Sequence, residues 1–130
     1  MKLLVDNMFP PRLGRGLSQL FSGYHQIEHI KDKFGTGSLK DEEWIKRLGQ
    51  EGGWAVLSGD RRIVSKRPSR DAFLGNNLVG FFPKEAVLDL PFPKQVARIL
   101  TLWNAIEAVA ASTDRGCFAI GVTGTKLQGL

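Results

Sequence analysis

Residues 54–60, Trp-Ala-Val-Leu-Ser-Gly-Asp, decide the predicted fold. The first four form an apolar run that lies between two glycines and the turn residues Ser58 and Gly59. A short run without polar alternation, bounded in this way, is typical of a central parallel strand that is buried on both faces. We therefore predict such a strand at 54–57, with Asp60 just beyond its end.

Strands and helices are predicted to alternate on both sides of this segment. Apolar runs predict further strands at 1–6, 78–82 and 117–122, and a loose alternation of apolar and polar residues predicts one at 24–30. Helical spacing of apolar residues predicts helices at 10–23, between Ser38 and Gly52, and at 93–112. Ser38, with Asp41 three residues later, resembles a capping box. This alternation favours an α/β domain of the three-layer α/β/α type, in which helices cover both faces of a mostly parallel central sheet.

The length and the N-terminus limit the class of protein. A chain of 130 residues suits one domain with its own core, so we expect a single domain over 1–130 in which 123–130 form an exposed tail. No apolar stretch reaches the roughly 20 residues that a membrane span needs. The acid at position 6 comes before any signal-peptide core could develop. A cytoplasmic protein without membrane attachment is therefore expected.

The composition adds weaker constraints. The 18 Lys and Arg residues exceed the 13 Asp and Glu residues, and a net charge of +5 permits a polyanionic partner without requiring one. Cys117 is the single cysteine and lies in an apolar stretch, which predicts a buried, unreactive thiol. The three tryptophans occupy apolar positions and are expected in the core, whereas His25 and His29 are expected at the surface.

Two of the predicted strands end in an aspartate. Asp6 follows the apolar residues 3–5, and Asp60 follows 54–57. Ligands of open α/β sheets bind outside the carboxyl ends of the strands, and Asp41 opens a helix that should begin at the same edge. Carboxylates that converge repel one another unless a cation neutralises them, and Mg²⁺ and Mn²⁺ prefer oxygen ligands. The sequence thus predicts a metal site.

Each aspartate also has a structural interpretation. Asp41 suits the first turn of a helix, where an acid interacts favourably with the helix dipole. Asp60 suits a turn after Ser58 and Gly59. Asp6, which precedes Asn7 and a proline turn, has no evident structural role. The functional hypothesis therefore depends on the three acids together.

Five basic residues follow Asp60 within ten positions: Arg61, Arg62, Lys66, Arg67 and Arg70. A run of charge usually forms a solvated surface. Lys and Arg also supply most of the affinity for nucleic-acid backbones, so a rim that binds phosphates beside the acids is the hypothesis we favour. Lys31 and Lys33 would extend this rim.

Three motifs in this order resemble the PIN-like domains, in particular the VapC-type toxins. LLVDNMFPPRL at 3–13 resembles the opening strand, acid and proline-initiated helix of the family. DEEWI at 41–45 and VLSGDRRI at 56–63 resemble its second and third acidic motifs. The helix around Trp103 and GCFAI at 116–120 resemble the C-terminal part of these toxins. The similarity extends over most of the chain.

The resemblance implies a metal-dependent endoribonuclease that uses Mg²⁺ or Mn²⁺. Such an enzyme is often the toxin of a toxin–antitoxin pair, with RNA as substrate, an antitoxin protein as partner and a homodimer as a frequent assembly. The residues implied for the site are Asp6, Asp41 and Asp60 as metal ligands, Ser58 to orient Asp60, and Glu42 and Asn7 as auxiliary donors. Neighbouring helix positions face about 100° apart, so Asp41 and Glu42 would not serve equally.

Arg62 departs from the family pattern. Many PIN-related sequences carry a further acid two residues after the third aspartate, at the place of Arg62. The site would then hold one metal ion rather than two, use Glu42 or Asn7 in its shell, or have lost activity. A catalytically impaired PIN-like module that binds a protein or nucleic-acid partner is the alternative hypothesis. A receiver-like phosphoacceptor domain is a third, for which only Lys84 offers the lysine that such domains need.

Overall fold

The computed structural model describes residues 1–130 and contains six strands and eight helices. The strands are β1 (Lys2–Val5), β2 (Gln26–His29), β3 (Trp54–Leu57), β4 (Val79–Pro83), β5 (Gly116–Ile120) and β6 (Gln128–Gly129). The helices are α1 (Pro11–Leu20), α2 (Ile30–Phe34), α3 (Asp41–Glu51), α4 (Arg62–Ser65), α5 (Arg67–Gly75), α6 (Glu85–Leu88), α7 (Phe92–Thr101) and α8 (Trp103–Ser112).

The strands form one sheet in the order β2-β1-β3-β4-β5-β6. Strands β1 to β5 are parallel, and β6 is antiparallel to β5. From β1 the chain goes first to β2 on one side and then returns to β3 on the other. Strand order therefore reverses at the β1–β3 pair, and crevices of this kind bind ligands in open α/β sheets.

The sheet separates two hydrophobic cores. Because side chains alternate along a strand, Leu3 and Val5 contribute to one core and Leu4 to the other. Helices α1, α7 and α8 cover the first face through Leu13, Leu17, Ile99, Trp103 and Ile106. Helices α3 and α5 cover the second through Trp44, Ile45, Leu48 and Phe73. The prediction of a three-layer α/β/α fold with a mostly parallel sheet is confirmed.

Two local predictions in the helices were wrong. The long helix expected at 93–112 is two helices, α7 and α8, because the backbone leaves helical geometry at Leu102. Ser38 does not cap α3, since the helix begins at Asp41 and its N-cap residue is Lys40, which makes no side-chain cap bond. The hydroxyl of Ser38 is instead 2.7 Å from that of Thr36.

Burial confirms most of the core predictions. All four residues of β3 are buried, as are Cys117 and the three tryptophans. His29 was expected at the surface but is fully buried, with its Nε2 atom 2.7 Å from the carbonyl oxygen of Phe9. A buried imidazole is tolerated there because backbone groups at both ring nitrogens satisfy its hydrogen bonds.

The C-terminal segment is exposed at nearly all of its residues, but it is part of the sheet. Within 123–130, Gln128 and Gly129 form β6 against Ala119 and Phe118 of β5. A two-residue strand carries no apolar pattern, which is why the sequence predicted only a tail. None of the helices is long and apolar enough to span a bilayer.

Candidate active site

Asp6 and Asp60 lie at the carboxyl ends of two neighbouring parallel strands. Val5 of β1 is in register with Leu57 of β3, and the Asp6 backbone N–H donates to the Leu57 carbonyl at 2.9 Å. The two following loops touch, since a Cβ on Gly59 would lie 3.0 Å from the Met8 Cβ. The strand ends therefore bring the first and third predicted acids to the same crevice.

One buried hydroxyl joins the two aspartates. Ser58 Oγ donates to Asp6 Oδ2 at 2.6 Å and accepts the Asp60 backbone N–H at 3.0 Å. Ser58 itself is completely buried, and its backbone N–H donates to Phe81 on β4 at 3.1 Å. The hydroxyl thus orients the Asp6 carboxylate and holds the turn that presents Asp60.

Asp6 is an acid in an unfavourable environment. Its side chain is buried, with 6% of the residue exposed, and its Oδ1 accepts the Asn7 backbone N–H at 2.6 Å. Burial raises the pKa of Asp6, the hydrogen bonds from Ser58 and Asn7 oppose this, and the negative charges of Asp41 and Asp60 raise it further. The three predicted acids are therefore close enough to interact electrostatically.

Arg62 is the cation at this site. Its Nε and Nη2 atoms donate to Asp60 Oδ1 and Oδ2 at 3.0 and 2.9 Å, and its backbone N–H donates to Oδ1 at 3.0 Å. These hydrogen bonds lower the pKa of Asp60 and raise the pKa of Arg62, to which the charges of Asp41 and Asp6 also contribute. The arginine that departs from the family pattern is thus the counter-ion of the third acid.

Asp41 and the auxiliary donors occupy the border of the site. Asp41 lies in the first turn of α3, and its Oδ1 accepts the Trp44 indole N–H at 3.0 Å. Asn7 is exposed, and its Nδ2 lies 3.4 Å from the Gly37 carbonyl oxygen. Glu42 is exposed and makes no ion pair. The structure brings Asp6 and Asp60 together and places Asp41 within electrostatic range.

The predicted basic rim is only partly available. Arg67 lies 3.7 Å from Asp71, and the Arg70 guanidinium donates to the Leu130 carbonyl. Lys33 pairs with Glu51 at 2.9 Å, and its Nζ lies 4.5 Å from the centre of the ring of Trp54, the first residue of β3. It is therefore at the opposite end of the strand from Asp60.

Arg61 and Lys66 are exposed and form no ion pair. Lys66 is close enough to Asp60 to help lower the pKa of that carboxyl. Lys31 is exposed, forms no ion pair and lies with Asn7 beside Gly37. The unpaired cations beside the acids are therefore Arg61, Lys66 and Lys31.

The donor chemistry fits a hard divalent cation, although the side chains are not preassembled around one. No three acidic, histidine or cysteine side chains are grouped so as to hold a metal ion. The available donors are carboxylate oxygens that repel one another, which are the ligands that Mg²⁺ and Mn²⁺ prefer. Both oxygens of Asp60 are engaged by Arg62, whose side chain is 72% exposed. Release of this exposed arginine would free the third carboxylate.

Sequence reasoning missed one basic residue of this edge. Lys84, which the sequence suggested only as a receiver-like lysine, directly follows β4 beside the loop after β5. A lysine directly after an apolar strand was the available signal. A separate cavity of about 590 Å³, lined by Met1, His25 and Trp54 among others, contains none of the predicted site residues.

The first two thirds of the chain match the sequence model of a known protein family. A family model described as PIN like domain matches residues 1–85, from β1 to the first residue of α6. The matched region includes Asp6, Asp41, Asp60 and Arg62. No curated protein sequence and no solved structure matches this chain.

Proposed function

Because the match covers 85 of the 130 residues, the chain belongs to the PIN-like domain family, and from this membership we propose that it is a metal-dependent endoribonuclease. PIN domains are generally nucleases and typically use divalent metal ions. The single observation that carries the proposal is the buried Ser58 bridge, which holds Asp6 and Asp60 at the crevice where strand order reverses.

The proposed metal ligands are the carboxylates of Asp6, Asp41 and Asp60, with Asn7 and Glu42 as auxiliary oxygen donors. A bound Mg²⁺ or Mn²⁺ would supply a water of lowered pKa and neutralise charge on the phosphate. A protein that buries Asp6 among like charges loses stability, and a bound cation offsets that loss. This accounts for a carboxylate that has no structural role of its own.

The remaining residues orient the acids and bind the substrate. Ser58 holds the Asp6 carboxylate in one orientation. If a metal ion bound, Arg62 would leave Asp60 and become available to an RNA phosphate, a change made easier because the Arg62 side chain is 72% exposed. Arg61 and Lys66 bind phosphates beside the acids. Arg67 and Arg70, which already have partners within the chain, contribute less.

The test is cleavage of a labelled single-stranded RNA in Mn²⁺ and in EDTA. Asp6→Asn and Asp60→Asn should each lower the cleavage rate at least about 10²-fold, a usual effect of removing one group that stabilises the transition state. Asp114→Asn is the matched control, because Asp114 is exposed and lies before β5, at the other end of the strands. Equal rates in the wild type and both site variants would contradict the proposal.

We extend the proposal to a toxin role, with a cognate antitoxin as partner and a second copy of the chain as a further one. Expression of the wild type in a host cell should then arrest growth, and expression of Asp6→Asn should not. Growth arrest that is equal in both would exclude RNA cleavage as its cause.

The pairing of Arg62 with Asp60 favours a second candidate function, a catalytically impaired module that binds a partner. If Arg62 replaces the metal permanently, Mn²⁺ should not bind measurably, and Asp6→Asn should change neither Mn²⁺ binding nor cleavage. Titration of Mn²⁺ followed by electron paramagnetic resonance separates the two functions.

A further inference from the structure

A second groove lies on the same edge of the sheet as the acids. It is formed by the residue after β4 and the loop after β5, and its volume is about 710 Å³. Its polar side chains include Lys84, Thr123, Thr125, Lys126 and Gln128, and no acidic residue lines it. A concave surface with cationic and hydroxyl groups but no carboxylate suits an anion.

The loop of this groove, 121–127, is held in place by an arginine beneath it. Arg98 of α7 donates from Nε to the Gly121 carbonyl and from Nη2 to the Gly124 carbonyl, both at 2.9 Å. Gly124 has a φ of 81°, a conformation that glycine adopts without strain. The Lys84 backbone N–H donates to the Ile120 carbonyl at 2.9 Å, so the two strand ends also hold each other.

The two lysines of the groove are free to meet a ligand. Lys84 is half-buried and Lys126 is exposed, and neither forms an ion pair. Glu85 follows Lys84 in the chain but lies outside the lining of the groove. Arg98 adds a third positive charge behind the loop. In contrast, Arg62, Arg67 and Arg70 of the predicted rim already have partners within the chain.

The groove is in line with the acidic crevice. Strand β4 is the neighbour of β3, and β5 is the neighbour of β4. Neighbouring strands are about 4.8 Å apart, so the groove begins about 5–10 Å along the edge from the end of β3. A nucleic-acid strand in a helix has one phosphate per about 3.4 Å of axis, so one strand would reach both places within about three nucleotides.

We propose that Lys84, Lys126 and the loop 121–127 bind the phosphodiester backbone of the RNA strand beside the bond that is cleaved. The identity of the ligand as RNA rests on the proposed function. The phosphate chemistry rests on the groove itself, with its two unpaired lysines, its exposed threonines and its lining without acids.

The experiment measures binding without cleavage. Fluorescence anisotropy of a labelled single-stranded RNA in EDTA, at several salt concentrations, compares the wild type with the variant Lys84→Gln/Lys126→Gln. The matched control is Lys46→Gln/Arg115→Gln, which removes the same charge from exposed residues that form no ion pair, on α3 and before β5. The thermal midpoints of both variants establish that they are folded.

The groove variant should bind RNA about tenfold more weakly than the control variant. The slope of log K against log salt should fall by about 0.7 for each phosphate contact that is lost. Equal affinities and equal slopes in the two variants would overturn the proposal. A second arm titrates inorganic phosphate: if the lysines are needed for phosphate binding but not for RNA binding, the groove is a small-anion site and the proposal is also overturned.

The outcomes separate this proposal from the proposed function. If Asp6→Asn cleaves RNA like the wild type while the groove variant loses RNA binding, the proposed active site is wrong and the proposed RNA-binding groove is supported. If Asp6→Asn is inactive while the groove variant binds RNA like the control, the proposed RNA-binding groove is wrong and the proposed active site is supported.

Discussion

The two halves of the carboxyl edge of the sheet differ in the side chains that line them. At the β1–β3 end, Asp6 is buried, and a buried serine joins it to the turn of Asp60. At the β4–β5 end, Lys84 and Lys126 are unpaired and no carboxylate lines their groove. Under the proposed function, the acids at the first end hold the metal ion, and the two lysines at the second end bind the RNA backbone.

The comparison also shows which half is costly to the fold. Burial raises the pKa of Asp6, so the charged form of this carboxyl is disfavoured in the folded protein and lowers its stability. The loop of the basic half is held through its backbone carbonyls, which accept hydrogen bonds from Arg98. The side chains of this loop therefore do not hold it in place. Substitutions in the acidic half should therefore change the stability of the fold more than substitutions in the basic half.

The largest effect on stability is expected from Ser58→Ala. The substitution leaves Asp6 Oδ2 and the Asp60 backbone N–H without their partner in a buried place, which costs about 1–3 kcal/mol of unfolding free energy. Urea denaturation measures it. Ser112→Ala is the control, because its hydroxyl donates to the Ala108 carbonyl on an exposed part of α8. Equal losses in the two variants would show that the buried hydroxyl of Ser58 stabilises the fold no more than an exposed one does.

A smaller effect is expected from Arg62→Gln. Without its guanidinium, both oxygens of Asp60 become available, and the affinity for Mn²⁺ should increase about tenfold. Isothermal titration calorimetry compares this variant with Arg61→Gln, which removes the same charge from an exposed neighbour. If both variants bind Mn²⁺ equally, net charge alone sets the affinity, and the specific pairing of Arg62 with Asp60 has no role.

The smallest effect is expected in the pH dependence of stability, measured in EDTA. The raised pKa of Asp6 means that the folded protein binds this proton more tightly than the unfolded chain. The resulting stabilisation is complete below the ordinary value of 3.8 and is lost as the pH rises through the raised pKa.

Asp6→Asn has no such proton. The stability of the wild type relative to this variant should therefore increase as the pH falls, and thermal midpoints from neutral to acidic pH measure it. A difference that does not change with pH would mean that the Asp6 carboxyl is not perturbed by its burial. Asp60 is present in both proteins, so its own lowered pKa cancels in the comparison.

Local sequence patterns were sufficient for strands β1 to β5 and for the candidate acids. The apolar run before Asp60 predicted a buried central strand, and β3 is buried at all four residues. Asp6 and Asp60 were found because each follows such a strand, and parallel strands end at one edge. The break between α7 and α8 at Leu102 was missed, because the helical spacing of apolar residues continues across it.

By itself, the sequence determined the fold class and the edge on which the acids lie, because hydrophobic periodicity is a local property of the chain. Only the tertiary structure decided that Ser58 is the partner of Asp6, 52 residues away, and that Lys84 and Lys126 line one groove. Even the pairing of Arg62 with Asp60, two residues away, needed the backbone of the turn. Partners of this kind depend on strand order, register and turn geometry, and these are set by the packing of the whole sheet.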